Sequence, residues 1–468
     1  MASQQIHTEV LVIGGGPAGI IFSRKLKKLK PQIDITMFRP EKHSMVYCAI
    51  PYAIEKLFDH QKTFKRDGLV TDSGTHLIKR KVKEVDLKAK RVIDEAGDVY
   101  TADILFIATG ANPILPPVPG ADATNIHTVK TQDDMETIIA NINNGAKRAV
   151  VIGAGAIGIE QAQAYRSRGL DVYLIDMASR VLPNMMDEDM VDILHETLRQ
   201  NGIKLMLSTR AERIKKVGKR ANQIVLSNGD VIDLDPVCDF ICFAVGMKPD
   251  IELFKGQNIE MSNDGIVVDS RMRTNIPGVY AAGDCCQYLS MIDGKPIGGK
   301  LATNAVPMAK IAARVITGKD DEYAGFLNGA ATCVYDLRVG STGFTTEVAK
   351  QRGIDTIVGW GKTTTLFPMM PDAGELQVKV IADTRDLRVI GAQVFSSTLP
   401  VTDKIDIITL AIQRRLTLKG LSKLSYSAQP WQSFFPARNA IVEACENALD
   451  NFASKGDPFH YPELLECV

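Results

Sequence analysis

The sequence predicts an α/β fold in which two nucleotide-binding βαβ units are followed by an α+β unit. Three observations predict it. Gly14-x-Gly16-x-x-Gly19 follows an apolar run and precedes a helical pattern. Gly153-x-Gly155-x-x-Gly158 repeats the arrangement. After about residue 325 the pattern changes, and no further fingerprint of this kind occurs.

In the first unit, TEVLVIGGGPAGIIFSRKLKK, Val10 to Ile13 read as a buried strand. The glycines permit a tight turn and close backbone approach, and the helix N-terminus faces a pyrophosphate. The spacing alone is a weak signal; its place between strand and helix strengthens it. In the second unit Ala149 to Ile152 lead into the glycines, and the next strand, Val172 to Ile175, ends at Asp176. A carboxylate there suits a ribose 2′-hydroxyl, which favours NADH over NADPH. Arg180 nearby keeps a 2′-phosphate in play. The matching strand of the first unit, IDITMFRP, ends instead at Arg39, with Glu41 as the nearest acid. Either Glu41 reaches the ribose or Arg39 meets the nucleotide another way.

In the last third, VKVIADTRDLRVIGAQVFS predicts a hairpin turning at Asp386, and KIDIITLAIQRRLTLKGL an amphipathic helix.

Composition narrows the class. The 468 residues allow two to four domains, with 45% hydrophobic and 24% charged residues. Lys plus Arg equals Asp plus Glu, 55 each, which gives no reason to expect a nucleic-acid partner. No apolar run approaches the roughly 18 residues of a membrane span. MASQQIHTEV lacks a basic region followed by an apolar core, so a cytoplasmic protein is expected. The eight cysteines form no CxxC, and no metal site is expected. Cys238 and Cys242, read on one strand, and the adjacent Cys285 and Cys286 read as packing residues. Cys467 reads as part of an inert tail.

Two further stretches, DILFIATGANP (103–113) and TNIPGVYAAGDCC (274–286), resemble motifs of flavoproteins with two dinucleotide sites. HSMVYCAIPYAIEKL, with Ser44, Cys48, Pro51 and Tyr52, resembles the single-cysteine signature of one branch of the pyridine-nucleotide disulfide oxidoreductases. That branch contains coenzyme A disulfide reductases, NADH oxidases and NAD(P)H persulfide or polysulfide reductases. The resemblance spans nearly the whole chain. It implies two Rossmann-like domains, one for FAD and one for NAD, plus a C-terminal α+β dimerisation domain. The expected boundaries are 1–115 with 247–325 for FAD, 116–246 for NAD(P)H, 326–450 for dimerisation and 451–468 for the tail. A homodimer is implied, the third domain of one subunit closing over the flavin of the other.

The resemblance also implies site residues. Besides the six fingerprint glycines, Asp176 and Asp284, cofactor contacts are expected from Pro17, Ala18, Phe38, Arg39, Pro40, Ser44, Val82, Ala108, Thr109, Gly110, Gly283, Leu301, Ala302 and Ala305. Ile157, Glu160 and Gly246 complete the set. Lys25, Lys27 and Lys28, with Ser44, are expected toward a substrate, the lysines against coenzyme A phosphates; the plain alternative is a solvated helix face. Tyr426, in LSYSAQPWQSFF, aligns with a tyrosine brought across the dimer interface, while Trp431, Phe434 and Phe435 are expected to pack there. Departures are visible: Tyr47 stands where the coenzyme A enzymes have Asn, Ala49 where they have Gly, Ala156 where an aromatic residue often shields the flavin, and Pro17 where many oxidases have His.

A thiolate, not a thiol, attacks sulfur. Cys48 lies just before Pro51 at an expected helix start, where the positive helix end favours the anion. The expected chemistry passes electrons from NAD(P)H through FAD to an oxidised Cys48, whose freed thiolate attacks the next S–S bond. Coenzyme A disulfide, coenzyme A persulfide, polysulfide or sulfur would be the acceptor. The alternatives are an NADH oxidase in which O2 takes the electrons through a cysteine sulfenate, and a flavoprotein electron carrier to a protein partner.

Overall fold

A computed structural model describes residues 4–455 of the chain. The chain divides into two compact units. Among the described residues the first comprises 4–116, 127–140 and 245–326; the second comprises 117–126, 141–244 and 327–455. Cys467 and the rest of the expected tail from 456 lie outside the described residues.

The first unit is built on a seven-stranded sheet. Strand Gln5–Ile13 runs parallel between Ile35–Phe38 and Val99–Ile107, and His76–Ile78 continues the parallel edge. Val279–Ala281 pairs parallel with Val99–Ile107, which returns the late segment to the same sheet. Val10, Leu11 and Val12 are fully buried, as befits a central parallel strand covered on both faces. Helix Pro17–Leu29 follows Gly16, with Pro17 in its first turn, where a missing N–H costs nothing. Its Phe22 stacks on Phe106 of the sheet, ring centroids 3.7 Å apart.

In the second unit four parallel strands stand in the order Phe240–Phe243, Arg148–Ile152, Asp171–Ile175, Ile203–Met206. Helix Ala156–Ser167 follows Gly155. A separate five-stranded antiparallel sheet runs Ala330–Val334, Leu337–Gly343, Val389–Ser396, Glu375–Asp383, Thr356–Thr364. Lys379 on this sheet is buried, and its Nζ reaches Asp187 at 2.9 Å and Asp189 at 2.6 Å. A buried ammonium is tolerable because two carboxylates neutralise it.

Two local expectations need correction, and a third element is present but short. KIDIITLAIQRRLTLKGL is not one helix: Thr402–Gln413 ends before Arg415, which takes φ 54°. Thr417 then caps a second short helix, Leu418–Leu421, by accepting from Gly420 N. Cys238 is not on the strand with Cys242, which begins at Phe240; Asp239 instead gathers the backbone N–H groups of Asp235, Lys147 and Arg148 into a turn. The helix after Cys48 is only Ile50–Ile54, entered through a 3-10 turn at Tyr47–Ala49. The field at its N-terminus is therefore that of barely more than one turn, less than the sequence implies.

Candidate functional site

The two glycine fingerprints divide their labour in the same way. Gly14 and Gly153 hold φ of +115° and +110°, where other residues are strained. A Cβ on Gly19 would lie 2.0 Å from the Gly14 carbonyl oxygen, and one on Gly158 1.8 Å from that of Gly153. These third glycines let helix and strand close up. Gly16 and Gly155, by contrast, would meet nothing within 4 Å. They are the N-caps of their helices and have no side-chain cap, so each helix presents open space and unfilled N–H groups.

Around the first fingerprint other expected residues converge. A Cβ on Gly14 would meet Ala108 O at 2.1 Å, and one on Gly283 would lie 3.1 Å from Ala18 Cβ and 3.4 Å from Ala305 Cβ. Leu301 caps the helix Ala302–Ile316 through its carbonyl, and Ala302 is exposed. Thr109 donates to the Asp250 carbonyl at 2.6 Å, and Gly110 accepts from Asp250 N. Gly246 accepts from Ile114 N. Val82 is buried and Pro40 exposed. The Phe38 ring is buried edge-on to Tyr100, so what it offers the site is main chain: its carbonyl accepts from Gly14 N.

Arg39 is not free to meet a nucleotide. Its guanidinium donates to the carbonyls of Glu41 and Lys42 and to Asp67 Oδ1 at 2.7 Å, and its stem packs where a Gly15 Cβ would stand. Burial would raise the Asp67 carboxyl, but hydrogen bonds from Lys79 and Arg39 hold it below the ordinary range. Arg39 thus clamps the loop after its strand, leaving exposed Glu41 as the acid at this end.

Asp284 lies half-buried and accepts from the Tyr288 hydroxyl at 2.9 Å. Burial raises its pKa, against the Tyr288 hydrogen bond and the charges of Lys300 and Lys130. Lys130 donates to Ala111 O and to Asn112 Oδ1; burial lowers its pKa, while Asp250, Glu41, Asp284 and Asp134 act the other way.

Ser44 is buried, and its Oγ has no hydrogen-bond partner. Cys48 is exposed. Beside it, burial pushes the Tyr47 phenol up to about 12, with Glu41 adding to the rise and Arg39 opposing it. On the first helix Lys28 is exposed and Lys25 and Lys27 are half-buried. A cleft of about 300 Å³ in this unit is lined by Arg24, Arg66, Gly68, Leu69, Asp72 and Ser73, not by the three lysines.

In the second unit both Asp176 oxygens are held by backbone: Ala154 N donates to Oδ2 at 2.6 Å and Ala178 N to Oδ1 at 2.7 Å. Ile157 is exposed, and Glu160 accepts from Thr332 Oγ1. Arg180 spends its donors on the carbonyls of Met186 and Pro183 and on Glu347. Tyr426, Trp431 and Phe435 are exposed, Phe434 is buried, and the Tyr426 hydroxyl donates to Pro436 O at 2.6 Å.

Residues 8–309 match the pyridine nucleotide-disulphide oxidoreductase family, and residues 330–435 match its dimerisation domain. The chain belongs to this family. It is 32% identical over 460 residues to an NADH oxidase of Methanocaldococcus jannaschii, covering 95% of this chain and 99% of that one. It is 30% identical over 420 residues to the CoA-dependent NAD(P)H sulfur oxidoreductase of Pyrococcus furiosus, covering 88% and 93%. Its fold is similar to that of an NAD-dependent persulfide reductase from A. fulgidus, with TM-score 0.89 and 28% identity, covering 96% of this chain and 83% of that one.

As a pyridine nucleotide-disulphide oxidoreductase the chain is an NAD(P)H flavoprotein, of a family that uses FAD. Its residues fit that group. Gly16 leaves room that a Cβ would occupy, and the orphaned Ser44 hydroxyl and Asp284 offer polar atoms. No helix among the described residues is long and apolar enough to cross a membrane, and none of their His, Cys, Asp and Glu side chains gather in threes to hold a metal ion. Three residues escaped the sequence reading: Tyr288, Lys130 and Lys65, which pairs opposite Ser44. Tyr288 carried a signal, four residues beyond Asp284 in a segment assigned to the flavin. Lys65, in HQKTFKR, carried none, because lysines in such a run read as a solvated loop.

Proposed function

We propose that this oxidoreductase uses FAD and NAD(P)H to reduce S–S bonds, with Cys48 as the attacking sulfur. The acceptor is coenzyme A disulfide, coenzyme A persulfide, polysulfide or sulfur. The exposure of Cys48 carries the reading: among the described cysteines Cys333 is half-buried and Cys238, Cys242, Cys285, Cys286 and Cys445 are buried. Attack requires an accessible thiolate.

Bound FAD supplies the two-electron relay between nicotinamide and sulfur. Gly14, Gly16, Gly19 and Asp284 hold it on the first unit; Gly153, Gly155, Gly158 and Asp176 hold NADH on the second. Cys48 attacks the acceptor, forms the mixed disulfide or persulfide, and returns to thiolate when that bond is reduced. Tyr426, brought across the interface of a homodimer, protonates the leaving sulfur after exchanging its bond to Pro436. Lys25, Lys27 and Lys28, with Arg24, offer charge for coenzyme A phosphates.

The experiment is Cys48→Ser in the FAD-loaded enzyme. NADH-dependent reduction of coenzyme A disulfide and of polysulfide should fall by orders of magnitude; wild-type turnover of both would sink the reading. A second reading, NADH oxidase, is favoured by the relative of that name. Oxygen uptake with NADH alone, faster than with any sulfur acceptor, would select it.

A further inference from the structure

The segment beside Cys48 carries a cation that no acid claims. Strand Ser44–Met45 pairs antiparallel with Phe64–Lys65, with Ser44 opposite Lys65 and Met45 opposite Phe64. Val46 N continues the pairing by donating to Thr63 O at 2.8 Å. Residues 63–65 therefore run alongside the chain as it enters the Tyr47–Ala49 turn that bears Cys48. Lys79 and Arg39 both pair with Asp67, while Lys42, Lys62 and Arg66 are exposed to solvent. Lys65 is half-buried, and none of the described carboxylates forms an ion pair with it.

Burial lowers the pKa of Lys65, and the one charge acting against that is Cys48. An ammonium partly removed from water, with no carboxylate, is favoured by a nearby anion that offsets its desolvation. Directly across the register, the buried Ser44 Oγ lacks a partner. That hydroxyl is already offered to FAD, so the anion that answers Lys65 is sought at Cys48. The other titratable groups here include His43, stacked on Phe64 at 5.0 Å, His60, edge-on to Phe64 at 6.2 Å, Tyr47 within the fields of Glu41 and Arg39, Glu55 beyond the Cys48 turn, and the exposed Lys42, Lys62 and Arg66.

We propose that Lys65 is the counter-cation of Cys48, stabilising sulfur anions formed there and favouring anionic sulfur acceptors over neutral ones. The inference rests on Cys48 being the attacking sulfur. In the first half-reaction the Cys48 thiolate forms a bond to one sulfur of an S–S acceptor while the other leaves as a thiolate. In the second, two electrons originating in NAD(P)H break the new bond, restoring the Cys48 thiolate and releasing the second sulfur as an anion. Charge neutral overall with its nicotinamide product and proton, each half still concentrates negative sulfur at one place. A fixed ammonium there lowers the energy of both bond cleavages.

The test is alkylation of Cys48 in NADH-reduced, FAD-loaded enzyme, followed by mass spectrometry of the Cys48 peptide. Iodoacetamide, which is neutral, and iodoacetate, which is anionic, are compared at pH 7 in the parent and in Lys65→Met, Lys65→Gln and Lys65→Arg. In Lys65→Met the iodoacetate-to-iodoacetamide rate ratio should fall by about three- to tenfold, the effect of one nearby charge partly screened by solvent. Lys65→Arg should keep the parent ratio. If Lys65→Met does not fold, Lys65→Gln carries the comparison. An unchanged ratio in whichever neutral variant folds overturns the proposal. Full turnover in Cys48→Ser would instead overturn the reading of Cys48, a different result from a different variant.

Discussion

The Tyr288 hydroxyl donates to Asp284 Oδ1 at 2.9 Å. It holds the carboxylate expected to meet FAD, and it opposes the burial that makes that carboxylate hard to ionise. Tyr288→Phe removes this bond and little else, since the ring remains among Phe326 and Lys300. A hydrogen bond to a charged group contributes about 1.5–3 kcal/mol, so FAD should dissociate about ten- to a hundredfold more readily. Ultrafiltration with flavin absorbance measures it. The sign with pH follows from the raised pKa. Ionised Asp284 is penalised in the fold, the penalty is present above its folded pKa, and it vanishes below the ordinary carboxylate range. The apoprotein of Tyr288→Phe should therefore lose more stability at pH 7 than in acid. An equal loss at both would mean that the phenol acts only by packing.

The paired fingerprints give a contrast within one chain. Gly158→Ala puts a Cβ 1.8 Å from a carbonyl oxygen, whereas Gly155→Ala puts one in open space. The first should destabilise the protein by about 1–3 kcal/mol, the usual cost of overpacking. The second should leave Tm unchanged and weaken NADH binding, because the new methyl would occupy the place proposed for a pyrophosphate. Thermal unfolding and NADH titration, run on both variants, check the pair. Equal loss of Tm in both would show that Gly155 is needed by the fold rather than by a ligand.

The parts of this protein that sequence made legible are those governed by local rules. Strand, glycines and helix follow one another within twenty residues, and backbone sterics leave little choice at Gly14 or Gly153. The turn at Asp386 was legible for the same reason. The break at Arg415 was not: a non-glycine residue at positive φ gives no sign in sequence, and the run of apolar positions continues across it. Nor could the fate of Arg39 be read, because its partner Asp67 lies 28 residues away and is brought near only by the fold. Lys65 shows the limit most plainly. Its pairing opposite Ser44 is a register between two two-residue strands, too short for any period to announce. Short range chemistry was visible; the meeting of distant side chains was not.

The proposed preference for NADH over NADPH turns on what surrounds Asp176. Its carboxylate is fixed by Ala154 N and Ala178 N at the end of its strand, beside the open helix N-terminus at Gly155. A fixed carboxylate gains a hydrogen bond from a ribose 2′-hydroxyl and repels a 2′-phosphate. Arg180, the cation expected to favour the phosphate, is turned to Met186, Pro183 and Glu347. Removing the carboxylate therefore abolishes discrimination without creating a phosphate site. Asp176→Ser should lower kcat/KM for NADH about ten- to a hundredfold, the loss of one charged hydrogen bond, and raise that for NADPH much less. Adding Glu347→Ala removes one of the three partners of Arg180 and should raise NADPH use further, with NADH unaffected by the second change. Steady-state kinetics with both nucleotides decide it. NADH kinetics unchanged in Asp176→Ser would mean that the ribose is held elsewhere and that Asp176 serves only to fasten the turn between Ala154 and Ala178.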